Sequence, residues 1–238
     1  MIKKINTKFL KLIKYYSLIN HNLIYENEAI NRYKINNNLV IKGIKGKELQ
    51  DLKQTVVNIK NCELKKNSTN IVFSDGNPNS KIMIIGEGPG ANEDLEGVPF
   101  IGKTGELLDK MLLSINLNRD NVYITNVVNY RPPENRNPTK EEIDRYLPYL
   151  VRHIEIIDPK ILILLGGSAL NAVIGNEKKI SEIRGKWINK KIGKCNTSVI
   201  VSFHPAFLMR QPNQKAMSWI DLKMIRKKIL DLKIKIEK

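Results

Sequence analysis

The sequence predicts an α/β protein: three layers, α/β/α, around a central, mainly parallel four-stranded sheet, with an N-terminal helical extension. Three observations lead there. Short apolar runs rich in Ile and Val recur at 81–86, 122–128, 160–167 and 198–203, too short for helices and apolar enough to be buried on both faces. Helical patterns separate them, as crossovers between parallel strands require. Three of the runs end in a polar group or a tight turn, at Glu87, Asn126 and His204.

From the amino terminus, Ile5, Phe9, Leu12, Ile13, Tyr16 and Ile19 fall at helical spacing with lysines between them, an amphipathic basic helix. Asn36-Asn37-Asn38 is a polar break, and a second helix is expected from Lys47 towards Ile59. We therefore divide the chain into a basic extension, 1–50, and a main domain, 51–238. In that domain Asn70-Ile71-Val72-Phe73 reads as a short strand closed by the turn Asp75-Gly76-Asn77-Pro78. After the 81–86 strand, Gly97 to Gly102 forms a constrained loop, and Leu107, Leu108, Met111 and Leu112 mark one face of a helix. Pro132 to Pro138 is a loop. Thr139 then caps a helix, with Glu142 completing a capping box. The 160–167 strand enters a helix at Gly166-Gly167, Cys195 falls in a turn, and residues 216–235 form a closing helix.

The chain has 238 residues, 42% of them apolar, enough for a globular core. Lys and Arg number 40 against 24 Asp and Glu, a formal charge of +16. Such an excess suits a polyanionic partner, although the chain is rich in Lys, Ile and Asn throughout and composition bias gives the same balance. Two cysteines, Cys62 and Cys195, exclude a disulfide framework and suit a reducing compartment. No apolar run reaches membrane-spanning length, and lysines interrupt the first apolar stretches, unlike a secretory signal. The expectation is a cytoplasmic monomer without a membrane partner.

Chemistry is expected at Ile82 to Asp94. A strand breaks into Gly86-Glu87-Gly88-Pro89-Gly90, where glycines let the backbone approach a ligand. Ligands of open α/β sheets bind beyond the carboxyl ends of strands. Neither dinucleotide signature is present: there is no G-x-G-x-x-G and no Walker lysine. Taken alone, the stretch is equally an ordinary strand-to-helix turn.

Taken together, several stretches resemble the family-4 uracil-DNA glycosylases. They are Gly86-Glu-Gly-Pro-Gly-Ala-Asn-Glu-Asp94, Gly97-Val-Pro-Phe-Ile-Gly-Lys-Thr-Gly105, Tyr123-Ile-Thr-Asn-Val-Val128, Arg131-Pro-Pro-Glu-Asn-Arg136, Arg184-Gly-Lys-Trp187 and Phe203-His-Pro-Ala-Phe-Leu208. They keep the family's order and spacing over roughly residues 59–232; the first 50 residues fall outside. The resemblance implies a protein that flips uracil out of DNA and hydrolyses its N-glycosidic bond, initiating base-excision repair. Gly86, Gly88, Glu93, Phe100 and Asn126 would bind the base. Phe100 is the stacking platform, since it sits on a tight loop between glycines; a core Phe is the alternative. The Asn126 amide can donate to uracil O4 and accept from N3–H; a local turn bond is the alternative. By similarity Glu93 crowds C5 and rejects thymine, and it is also suited to a helix N-terminus. Glu87 would position water or stabilise a cationic sugar, and His204 would donate to uracil O2 as charge develops. Leu208 and Met209 could wedge into the gap left by the base, with Arg210 on phosphate.

The chain departs from the family at its iron–sulfur cluster. That cluster takes four cysteines, and the matching positions here are Ile59, Cys62, Tyr130 and Tyr146. One thiolate cannot hold a cubane, so no metal and no cofactor are expected, and the four side chains should instead converge as an apolar plug. The leading reading is an active glycosylase acting on uracil-containing DNA. A catalytically inactive DNA-binding protein of the same fold is the alternative, and a nucleotide-binding regulatory domain rests on the glycine-rich loop alone. His21 and His153 lack a comparable context and are read as surface or packing residues.

Overall fold

The computed structural model describes residues 44–175 and 179–236; the expected helix around Ile5 to Ile19, and His21, lie outside them. Six strands form one sheet: β1 (Asp75–Gly76), β2 (Ile82–Gly86), β3 (Tyr123–Asn126), β4 (Ile161–Leu165), β5 (Ile188–Ile192) and β6 (Cys195–Ser202). Their order is β1-β3-β2-β4-β6-β5. The four inner strands are parallel, as the apolar runs predict, and the two edges pair antiparallel.

Alternation along each strand builds two cores. Met83, Ile85, Leu162, Leu164, Val199 and Val201 face one layer, and Ile82, Ile84, Ile161, Ile163 and Ile200 face the other. The first layer holds α1 (Ile44–Val57), α2 (Glu63–Lys66), α5 (Lys140–Ile157), α6 (Gly167–Val173) and α7 (Ile180–Ile183); each gives at least one side chain to that core. The second layer is α4 (Gly102–Leu113), α8 (Pro205–Arg210) and α9 (Lys215–Asp231). A short helix, α3 (Ala91–Glu96), follows the loop after β2. The capping box of α5 forms as its sequence requires: Thr139 N–H donates to Glu142 Oε2 at 2.8 Å, and Glu142 N–H donates to Thr139 Oγ1 at 3.2 Å. No described helix is long and apolar enough to cross a membrane.

Four sequence expectations need correcting. Residues 70–73 form no strand. Val72 N–H donates to the Asn129 carbonyl, while the Asn129 amide and Thr125 hydroxyl donate back to the Val72 and Phe73 carbonyls; side chains thus replace a ladder. The two-residue β1 lies in the expected turn instead. Cys195 is not in a turn but opens β6, paired with Ile192 across the turn at Gly193-Lys194, and it is buried. The boundary drawn at 50/51 falls inside α1, whose Leu49, Leu52 and Val56 are buried in the core.

His153 is a packing residue, as expected. It is stacked on Phe73 with ring centroids 4.6 Å apart, and its Nε2 lies 2.6 Å from the Tyr123 hydroxyl. Burial pulls its pKa down from 6.5 to about 3, so the folded state holds it neutral. The unfolded chain then binds the extra proton between those values. Stability is therefore expected to fall as pH drops below about 6.5, by up to about 1.4 kcal/mol per pH unit from this residue. Urea midpoints at about pH 7 and about pH 5 check this, and His153→Phe should remove this residue's share of the dependence, leaving that of His204, whose pKa is also lowered.

Candidate active site at the carboxyl edge of the sheet

The chain leaves β2 for β3 on one side and then crosses back to β4 on the other. This reversal opens a crevice at the carboxyl ends of β2 and β4, the usual ligand site of open α/β sheets. A pocket of about 940 Å³ lies there. Its lining includes Glu87, Gly88, Glu93, Phe100, Asn126 and His204, with Arg210 also lining it.

Gly86 sets the floor. A Cβ there would lie 2.4 Å from both Asn126 Oδ1 and Phe100 Cζ, so only glycine lets the two side chains approach the end of β2. At Gly88 a Cβ would meet the Val128 side chain at 2.8 Å. Asn126 closes β3, is buried, and makes no side-chain hydrogen bond to another described residue. It therefore brings an uncommitted donor and acceptor to the pocket wall.

Phe100 has φ +55°, in the left-handed region, a conformation costly for a bulky residue unless its surroundings enforce it. They do. Arg119 donates from Nη2 to the Phe100 carbonyl at 2.6 Å and from Nη1 to the Pro99 carbonyl at 3.2 Å. Asp75 and Asp109 hold the guanidinium from behind. At the other side of the same Phe100–Ile101 peptide, Ile101 N–H donates to Glu93 Oε1 at 2.8 Å, and Glu93 Oε2 accepts from Gly90 N–H at 3.0 Å. Each Glu93 oxygen is thus engaged by backbone, binding the turn after β2 to the Phe100 loop. Asp94 does the same for the 69–70 segment, accepting from the Thr69 and Asn70 N–H groups. Arg119→Ala is expected to destabilise the domain by about 1–3 kcal/mol, since it strands two carbonyls and two partly exposed carboxylates. Urea denaturation of the variant checks this.

His204 precedes α8 and caps it. Its Nδ1 accepts from Ala206 N–H at 3.2 Å, which puts the ring proton on Nε2. Burial, assisted by Arg210, lowers its pKa from 6.5 to about 4, so the ring is neutral near pH 7. It stacks on Phe100 with centroids 5.4 Å apart. Glu87 follows β2, half-buried, and its Oε2 accepts from the Ser168 hydroxyl at 2.6 Å. Neither Ser168 nor Arg119 is visible as a site residue in the sequence. The one available signal for Ser168 is its place just after β4, at the edge where ligands bind.

The residues expected to contact DNA separate. Leu208 is 1% exposed and belongs to the core beneath α8, so it is not a free wedge. Met209 is 41% exposed, and Arg210 is exposed.

The cluster positions lie in one core. Ile59, Cys62, Tyr130 and Tyr146 are all buried there, and Cys62 Sγ is 3.2 Å from the Tyr146 hydroxyl. Burial raises the pKa of Tyr146, with the Cys62 contact adding to it. One thiol already hydrogen-bonded to a neutral phenol, beside an isoleucine, does not fit a cubane. Among the described residues no group of three or more His, Cys, Asp or Glu could hold a metal.

Fold and crevice together define an α/β protein with a candidate ligand site at the carboxyl edge of its sheet. Comparison with known proteins is more specific. The family model described as the uracil DNA glycosylase superfamily matches residues 73–224. A type-4 uracil-DNA glycosylase of Sulfurisphaera tokodaii is 41% identical over 183 residues, 75% of this chain and 83% of the relative. That of Archaeoglobus fulgidus is 38% identical over 181 residues, 74% and 91% of the two chains. That of Thermotoga maritima is 43% identical over 150 residues, 63% and 77%. The chain belongs to the uracil DNA glycosylase superfamily and, within it, to the type-4 family.

Proposed function

We propose that the protein hydrolyses the N-glycosidic bond of uracil in DNA, with the base flipped into the crevice, and leaves an abasic site. One observation carries the reading most: a carboxylate, an uncommitted amide and an imidazole with its proton on Nε2 share one pocket. Uracil departs as an anion and the sugar becomes cationic, so the two charges need opposite partners. His204 Nε2–H donates to uracil O2, and as a neutral donor it stabilises the anion without needing to lose a proton. The Glu87 carboxylate stabilises the sugar and orients the water whose oxygen bonds to C1′ as the C1′–N1 bond breaks; the water's proton passes to Glu87 and on to solvent, from which the uracil anion is protonated. Asn126 reads O4 and N3–H. Phe100 supplies the stacking face. Glu93 fixes the turn and the platform, and its carboxyl group fills the space in which a C5 methyl would lie.

The enzyme is expected to work as a cofactor-free monomer, with the segment before α1 as an appendage of unassigned role. A uracil-containing oligonucleotide, incubated without metal and then treated with alkali, should break only at uracil; an intact strand overturns the reading. Purified protein should be colourless and lack stoichiometric iron.

If the +16 charge serves DNA, affinity should fall at least about tenfold between about 50 and 200 mM salt through counterion release. A flat salt dependence returns the lysines to composition.

A further inference from the structure

We infer that Ser168 is a positioning residue for Glu87, an assignment that rests on the hydrolytic reading above. The two groups come from different strand ends, 81 positions apart, and meet across the crevice at 2.6 Å. Ser168 is buried, whereas Glu87 is half-buried and lines the pocket. The serine's own position is fixed. Gly166, at φ +94°, turns the chain off β4 so closely past His204 that a Cβ on it would lie 3.2 Å from His204 Cβ. Behind Ser168, Ala169, Leu170 and Val173 anchor α6 in the core. The same turn therefore touches both sides of the chemistry, His204 through Gly166 and Glu87 through Ser168.

The type of donor matters. Glu87 has several side-chain torsions, and a carboxylate that must orient one water works only in one pose. A hydroxyl on Oε2 fixes that pose and leaves Oε1 for the water. An arginine or lysine would hold the carboxylate as firmly but would neutralise the charge that a cationic sugar needs. Serine restrains Glu87 and leaves its charge available.

The test is steady-state and single-turnover kinetics on uracil DNA with the full chain and the variants Ser168→Ala, Ser168→Thr, Glu87→Gln and Ser168→Ala/Glu87→Gln, alongside their urea midpoints. Ser168→Ala should lower kcat roughly 10- to 100-fold, the worth of one charge-assisted hydrogen bond, with KM within about twofold. Ser168→Thr should recover most of the loss. In the Glu87→Gln background the serine substitution should cost less than about twofold more, because the two residues act as one unit. Should Ser168→Ala not fold, Ser168→Cys, a weaker donor of nearly the same shape, should show the same loss in kcat. An unchanged kcat, a rise in KM alone, or losses that multiply in the double variant overturn the assignment while leaving the glycosylase reading intact. A wild-type protein that releases no uracil overturns that reading and the assignment with it.

Discussion

His204→Ala is expected to slow uracil release about 100- to 1,000-fold, which is about 3–4 kcal/mol of barrier, while affinity for uracil DNA stays near that of the parent protein. The donor acts on charge that appears as the base departs, so its loss registers in the chemical step rather than in binding. The acid limb of the rate has a structural origin. Nδ1 already accepts the Ala206 N–H, so a second ring proton breaks the cap of α8 as well as making the ring cationic. Burial and Arg210 place that event near pH 4, and the rate contribution of His204 should be flat above about pH 5. The same shift acts on stability. The folded pKa lies below the unfolded value of 6.5, so the contribution is complete above that value and is lost as pH falls towards 4. Single-turnover rates between about pH 4 and 8 check the limb. An unchanged rate in His204→Ala removes the residue from the mechanism.

Tyr146→Ala is expected to destabilise the domain by about 3–5 kcal/mol, because it empties a fully buried ring position, with no change in iron content. The ring is among the largest wholly buried side chains of the protein, and it fills the space shared with Cys62 and Tyr130. Tyr146→Phe isolates the polar part: it keeps the ring and removes the hydroxyl facing Cys62, and should cost only about 1 kcal/mol. Urea denaturation of the two variants gives both figures. A Tyr146→Ala protein as stable as the parent contradicts the filled-core account.

The inner sheet was legible because Ile82 to Ile85 and Ile161 to Leu165 are covered on both faces and therefore read as unbroken apolar runs. The edge strand β5 was not. Ile188-Asn-Lys-Lys-Ile192 is covered only in part, and polar residues on an edge look like loop. The Thr139 capping box was legible because its partners are three positions apart. Ser168 on Glu87 and Arg119 on Phe100 were not, since those pairs span 81 and 19 positions and exist only once the strands are ordered. Glu87, Asn126 and His204 could be placed at one edge from strand direction alone. Which of Leu208 and Met209 faces outward depends on the roll of α8, which a six-residue helix does not encode in a periodic pattern. Glu93 illustrates a subtler limit: a carboxylate beside a glycine turn is visible in sequence, but its two backbone partners are not.

The clamp on Phe100 bears on how affinity responds to change. A ring whose following peptide is held by Arg119 at its carbonyl and by Glu93 at its N–H stands ready before any base arrives, so nearly every molecule is competent to bind. Loosening the clamp alters no atom that touches the base. It divides the population instead, and apparent affinity falls by the fraction of molecules in which the ring has left its place. Substitutions at Arg119, Asp75 or Asp109 should therefore weaken binding to every base in equal proportion, leaving the preference for one over another where it was.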